Sequence, residues 1–249
     1  MVAEQITWAG RTLNGSDRFG EWVTTGLEGW WDSPDPKGET AERPNADGDY
    51  DLPVYNQARL ITVGGNLHAD SHTKLHEAMN FFTGPMRGRF AVTGHGSTQW
   101  ADAVRNSGVK FTPVTDVFAQ WQVRLKCVNP RKFGNSQDFV RTNGTVSVFH
   151  RGNYNALPTV VVRGSAANGY RLNGPGGLQY KVTRALVSGI PHRIEFTDGR
   201  LRVNGTVVAT GADSADVWPV PPGQSVDFDI NVLSGGTAEA TITITDTYI

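Results

Sequence analysis

A single cysteine, Cys127, stands among 249 residues, so neither an intrachain disulfide nor a cysteine-built metal cage can form. Surplus charge is missing too, with a formal net charge of -1. Up to Val140 there are 14 basic and 16 acidic residues, and beyond it 9 and 8. Neither half is a polyanion binder, and nucleic acid is not an expected partner. No apolar run approaches the roughly 20 residues of a membrane-spanning helix. The opening MVAEQITWAG has neither the basic nor the apolar region of a secretory signal. The expectation is a soluble protein made in a reducing cytoplasm, with no membrane partner. Turn chemistry, by contrast, is abundant, with 29 glycines and 13 prolines. A chain of this length can bury one large β core or two modest ones.

Alternation of period two is clear in several places. Trp121, Val123, Leu125 and Cys127 alternate with Gln122, Arg124 and Lys126, which describes a half-buried strand. Val226, Phe228, Ile230 and Val232 alternate with Asp227, Asp229 and Asn231 in the same way, and Ile242 and Ile244 sit between threonines. Asn14-Gly15, Asn143-Gly144 and Asn204-Gly205 are hairpin-turn signals, because both residues tolerate positive φ. The stretch Phe149–Gly223 is made of short β-runs with rigid Pro and Gly punctuation, ending in Trp218-Pro219-Val220-Pro221-Pro222-Gly223.

One segment has helical spacing instead. Leu75, Ala78, Met79 and Phe82 fall on one face, Asp70 or Ser71 can cap the start, and Gly84-Pro85 stops it. This predicts a helix over about 71–83. Between Glu28 and Asp51 the acids Glu28, Asp32, Asp35, Glu39, Glu42, Asp47, Asp49 and Asp51 face only Lys37 and Arg43, with three prolines among them. Such a stretch buries no core and reads as a long loop. The fold class is mainly all-β. The expected domains are 1–141, a β domain with one helix, and 142–249, a second β domain.

Candidate chemistry is thin. His72 and His76 are four apart and share a helix face, with His68, Asp70 and Glu77 nearby, but the zinc-protease pattern needs Glu where Thr73 stands. Polar positions of an amphipathic helix account for them, so no metal ligand is assigned; a metal-dependent hydrolase is the reading that would need them. Carboxylate pairs in the 28–51 loop lack the rigid support a glycosidase requires. Gly94-His95-Gly96-Ser97 lacks the strand–turn–helix context of a nucleophile elbow, and Gly174-Pro175-Gly176-Gly177 lacks the Lys-Ser or Lys-Thr of a phosphate loop. Cys127 alternates inward and reads as an inert thiol. Catalytic residues and cofactors are therefore assigned to none. Seven tryptophans could stack on sugars or fill β cores. Adjacent Trp30 and Trp31 must point to opposite faces if extended, which leaves one for an interface.

These residues also form a familiar pattern. Gly152-Asn153-x-x-Ala156-x-Pro158, the run Thr159–Gly164, Phe196-x-Asp198-Gly199, Asn204-Gly205 and Trp218-x-x-x-Pro222-Gly223 follow a first half with Arg59-Leu60-Ile61-Thr62-Val63-Gly64-Gly65 and Asn129-Pro130-Arg131-Lys132-Phe133-Gly134. Together they resemble the distal tail protein family of long-tailed (siphovirus-type) bacteriophages. The resemblance implies an amino-terminal β domain of sandwich or split-barrel kind that oligomerises, usually as a hexameric ring, and a galectin-like carboxyl-terminal β-sandwich. It implies a virion structural protein between tail tube and tail tip or baseplate hub. Its partners would be the tail tube protein, the hub protein and a possible receptor-binding component.

A galectin-like fold does not make a lectin. Sugar-binding galectins carry His-x-Asn-Pro-Arg, whereas Cys127 holds the histidine position before Asn129-Pro130-Arg131 here. A host-saccharide-binding module is the alternative function. For assembly, the acidic loop, through Asp47 and Asp49, is expected to meet a basic edge of the next subunit carrying Arg131 and Lys132, with Arg124, Lys126 and Arg141 close in sequence.

Overall fold

The computed structural model describes residues 4–38, 41–94 and 96–249. It forms two compact units, residues up to Lys132 together with Ile249, and Phe133–Tyr248. The first contains β1 (Gln5–Trp8), β2 (Arg11–Asp17), β3 (Gly20–Glu28), β4 (Pro36–Lys37), β5 (Tyr55–Asn56) and β6 (Arg59–Ala69). Helix α1 (His72–Thr83) follows, then β7 (Arg87–Thr93), β8 (Gln99–Arg105), β9 (Lys110–Pro113) and β10 (Phe118–Cys127).

The strands pair in the order β8-β7-β1-β2-β3-β6-β10-β9. A further pairing of β10 with β8, Leu125 opposite Arg105 and Lys126 opposite Val104, closes the sheet into a barrel with β9 appended. Closure pairs the end of β10 that β9 does not reach, and leaves the short β9 as an edge. The alternation explains the core. Along β10, Ala119, Trp121, Val123, Leu125 and Cys127 are all buried, and β6 buries Ile61, Val63 and Leu67 on the same parity.

The helix lies where its spacing puts it. Ser71 Oγ accepts from Lys74 N at 3.3 Å, and Leu75, Ala78 and Phe82 are buried. Phe82 places its ring 5.2 Å from Trp22 and 5.2 Å from Trp121, so the helix plugs the aromatic part of the barrel core.

The second unit contains β11 (Lys132–Thr142, from Phe133 on), β12 (Gly144–Val148), β13 (Thr159–Ser165), β14 (Tyr170–Asn173), β15 (Gln179–Val182) and β16 (His192–Glu195). It continues with β17 (Arg200–Val203), β18 (Thr206–Val207), β19 (Ala212–Ala215), β20 (Val226–Val232) and β21 (Thr237–Tyr248). One sheet runs β18-β17-β16-β13-β21-β11 and the other β12-β20-β14-β15-β19. Their inward residues, among them Val160, Val162, Phe228, Ile230, Ile242 and Ile244, make one core of a β-sandwich. The last strand stays in the first of these sheets, seven residues of β13 pairing with it from Thr159↔Thr243 to Ser165↔Thr237.

Two local expectations come out differently. Asn14-Gly15 is not a hairpin turn: it lies inside β2, beside the register shift between Ile6↔Asn14 and Thr7↔Thr12. A bulge uses the same backbone freedom as a turn, which is why the dipeptide misleads. The first unit runs to Lys132 and the second begins at Phe133. Asn143-Gly144, with Asn143 at φ 37°, is not a hairpin turn either: it is a corner between β11 and β12, which lie in different sheets.

Candidate assembly surface

The acidic stretch is an arm with its own ladder, not a structureless loop. At its base Pro36 pairs with Asn56 and Lys37 with Tyr55, and Gln57 N donates to Asp35 O at 2.8 Å. Near its tip Glu42 bridges Asp49, and Tyr50 N donates to Ala41 O at 2.9 Å. Asp47 and Asp49 are exposed at this tip. Between the rungs the side chains have almost no core. Tyr50, Leu52, Val54 and Tyr55 are exposed, Val54 by 67% and Tyr55 by 68%. A shallow surface cavity of about 320 Å³ lies against Lys37, Leu52, Pro53 and Tyr55. Apolar side chains exposed together in this way are uncommon on a free surface.

The arm's root is fixed by two buried cations. Arg59, 1% exposed, occupies an inward position of β6. Its Nη1 donates to Gly29 O at 2.8 Å, Trp30 O at 3.3 Å and Asp32 O at 2.6 Å, and its Nε donates to Pro130 O at 3.0 Å. The planar guanidinium thus holds the start of the arm against the segment after β10, a task for which its fork of donors is suited. Burial pulls the Arg59 pKa below its ordinary value, with Asp32 acting the other way.

Lys132 is the second cation. Its Nζ donates to Trp30 O at 3.0 Å and stands 5.2 Å from the Trp30 ring centre and 5.6 Å from that of Trp31. Burial, and then the neighbouring Arg59 charge, lower its pKa from 10.5 to about 8, while Asp32 raises it. Lys132 is 5% exposed, so it is no basic rim for a neighbour to grip; the alternation that turns Lys132 inward follows from its place at the start of β11. Trp30 and Trp31 lie in a bend, not an extended run, so they do not point to opposite faces: their ring centres are 6.5 Å apart, with Trp30 buried against Phe90 at 5.0 Å and Trp31 half exposed.

Exposed basic groups lie elsewhere in the first unit. Arg124 and Lys126 point outward from β10, and Arg131 is half-buried, its backbone N donating to Asn129 Oδ1 at 3.2 Å. Arg141 is exposed in the second unit. Sequence reasoning missed Arg59 as a structural centre. The signal was present, since Arg59 shares the parity of Ile61, Val63 and Leu67, where a charge is out of place.

The remaining candidates are scattered. His72 and His76 stand side by side on the exposed helix face with ring centres 4.6 Å apart, and His72 Nδ1 lies 3.8 Å from Asp116 Oδ1. His68 faces Phe118 on the neighbouring strand at 4.8 Å, and Asp70 pairs with Lys74 at 2.5 Å. Among the described residues no group of three His, Cys, Asp or Glu is placed to hold a metal ion. Glu39 and His95, both singled out in the sequence, lie outside the described residues. Cys127 is buried, and desolvation pushes its thiol up to about 11. No helix of the described residues is long and apolar enough to cross a membrane. In the sandwich, Trp218 is 1% exposed, packed 4.9 Å from Phe196 and 5.2 Å from Phe228, and Tyr170 and Tyr180 are buried as well. None of these three rings is available as a sugar-stacking platform.

A closed barrel with a plugging helix and an arm, followed by a two-sheet sandwich, makes this an all-β protein. No protein-family model and no curated protein sequence matches the chain. Among solved structures it has the fold of the Dit protein of phage SPP1, described as a paradigm of the hub adsorption apparatus in phages infecting Gram-positive bacteria. That likeness has a TM-score of 0.79 at 16% identity and covers 99% of both chains. Two structures of the phage p2 baseplate in its activated conformation, with strontium and with calcium, give TM-scores of 0.48 and 0.47. Their identities are 9% and 8%, and each covers 98% of both chains.

Proposed function

We propose that this chain is a structural virion protein, a distal tail adaptor of a bacteriophage that forms a ring between the tail tube and the tail tip or baseplate hub. The observation that carries this reading is the likeness to SPP1 Dit over both units rather than over one module. The galectin-like character of the sandwich belongs to the same reading, as do a hexameric ring, the tail tube and hub proteins as neighbours, and a location at the tail tip. No enzymatic activity is part of it.

The barrel and its arm support ring formation. Copies related by rotation must each offer one surface and accept another. The arm offers apolar Leu52, Val54 and Tyr55 together with acidic Asp47 and Asp49. Arg124, Lys126 and Arg131 on the next copy's barrel are the complementary charges, which set register more than strength. Lys132 serves this contact indirectly, by fixing the arm's root. A saccharide-binding role for the sandwich has less support, because Trp218 is spent on the core. Electron microscopy of the purified chain mixed with tail-tube subunits tests the proposal. Rings capping one end of the tubes are expected; free tubes beside unassembled chain would sink it, and specific hits on a glycan array would favour the saccharide reading.

A further inference from the structure

We propose that His150 is an acid-sensitive latch that holds the crossing segment between β12 and β13 against the end of the sandwich. This segment, residues 149–158, carries the chain from one sheet to the other. His150 is 3% exposed, and both its ring nitrogens are engaged. Gly152 N donates to Nδ1 at 3.0 Å, and Nε2 lies 3.1 Å from Val220 O. A backbone N–H can only donate, so Nδ1 is the bare nitrogen and Nε2 carries the proton. One neutral tautomer is thereby selected.

The contacts around the ring make that tautomer a structural element. Ala156 and Val220 exchange both backbone hydrogen bonds, at 3.0 and 2.8 Å. Arg151 N donates to Asp246 Oδ1 at 2.7 Å, and Tyr154 N donates to Thr247 O at 3.1 Å. Gly152 passes so close to β21 that a Cβ on it would lie 1.9 Å from Thr247 O. The segment is therefore fastened to two elements, with His150 at the corner between them.

A second proton on His150 would have to sit on Nδ1, facing the Gly152 N–H. Two donors then oppose each other in a buried site, and the ring must leave or the segment must move. Among protein side chains imidazole is the one that can take up a second proton in mildly acidic water. The titratable groups on the surrounding elements are Asp246 and Tyr248 of β21, Arg151 and Tyr154 of the segment itself, and Asp216 ahead of Val220. Asp246 is already committed to Arg151 N, so it does not replace the lost acceptor for Gly152. The outcome is local: the 149–158 crossing loosens while the strands around it stay paired.

Amide hydrogen exchange on the full chain at pH 7.5 and 5.5, corrected for intrinsic rates, tests the latch. Protection at Arg151, Gly152 and Ala156 should fall by about tenfold or more at the lower pH, with barrel amides unchanged. At pH 7.5 the ¹⁵N shifts of His150 should show Nε2 protonated and Nδ1 bare. In His150→Gln, whose amide keeps an acceptor and a donor without titrating, the pH effect should vanish, whereas His192→Gln should retain it. Unchanged wild-type protection between the two pH values overturns the proposal, even if the His150→Gln variant fails to fold. So does an Nδ1-protonated ring, or a pH effect that persists in His150→Gln.

Discussion

Lys132 Nζ donates to the carbonyl of Trp30 at 3.0 Å, joining residues 102 positions apart at the root of the arm. The ammonium is buried, shares its surroundings with the Arg59 guanidinium, and has Asp32 as its nearby counter-charge. Burying this ammonium, with a second cation beside it and one carboxylate against both, is a costly way to hold the arm; burial first and the Arg59 charge second lower its pKa. Below pH 8 folded and unfolded chains both keep the proton, and the burial cost is carried in full. From about 8 to 10.5 the unfolded chain still holds the proton that the folded one has released, so stability should rise with pH in that window. Chemical denaturation at pH 7.5 and 9.5 should show the rise in the wild type and a flatter profile in Lys132→Met. Lys132→Glu should cost about 3 kcal/mol or more, since it sets a carboxylate against a carbonyl in a buried site.

Gly29 marks the other side of this root. It has φ +78°, and a Cβ there would lie 1.9 Å from Leu60 O, while its own carbonyl accepts from Arg59. Gly29→Ala should destabilise the barrel by about 2–4 kcal/mol in urea titrations, through strain and the displaced Arg59 contact. Gly48, at the arm's tip, has φ +77°, and a Cβ there would meet no atom within 4 Å. Gly48→Ala should therefore cost only about 1 kcal/mol.

How far the sequence discloses this architecture differs between barrel and arm. Strands such as β10 and β20, and helix α1, follow directly from apolar spacing, because burial on one face is a local pattern. The arm is hidden by its composition. Its acids and prolines speak for solvation, while the apolar positions Tyr50, Leu52 and Val54 on its returning half have meaning only once the ladder at Pro36–Lys37 and Tyr55–Asn56 is known. Lys132 reads as a surface charge for a similar reason. Its burial depends on Trp30 and Arg59, both distant in sequence, and no local pattern encodes such a pairing.

In the sandwich, His192 is buried and its Nδ1 lies 3.3 Å from the Tyr170 hydroxyl. Burial, with the Arg184 charge added, lowers its pKa below 6.5. Above pH 6.5 the ring is neutral in both states and its contribution is complete. As the pH falls below 6.5 the unfolded chain takes up a proton before the folded one does, and stability is lost until the folded pKa is reached. Thermal melts should show this fall between pH 7 and 5, and His192→Gln should reduce its slope without abolishing it.

The arm's exposed side chains offer a separation of fold from assembly. Leu52→Asp with Val54→Asp should change unfolding free energy by no more than about 0.5 kcal/mol per site, as surface substitutions do. The same pair should weaken self-association by tenfold or more, measured by sedimentation equilibrium. A large loss of stability would instead place these residues in the chain's own core.

The central claim is that copies of this chain close into a ring. The direct measurement is the native mass of the purified full chain across a concentration series, with one chain at 27.0 kDa as the unit. A closed assembly of one stoichiometry, about six copies and dissociating when Leu52 and Val54 are replaced by Asp, is the predicted result. A monomer at every concentration, alone and with tail-tube subunits present, would contradict it.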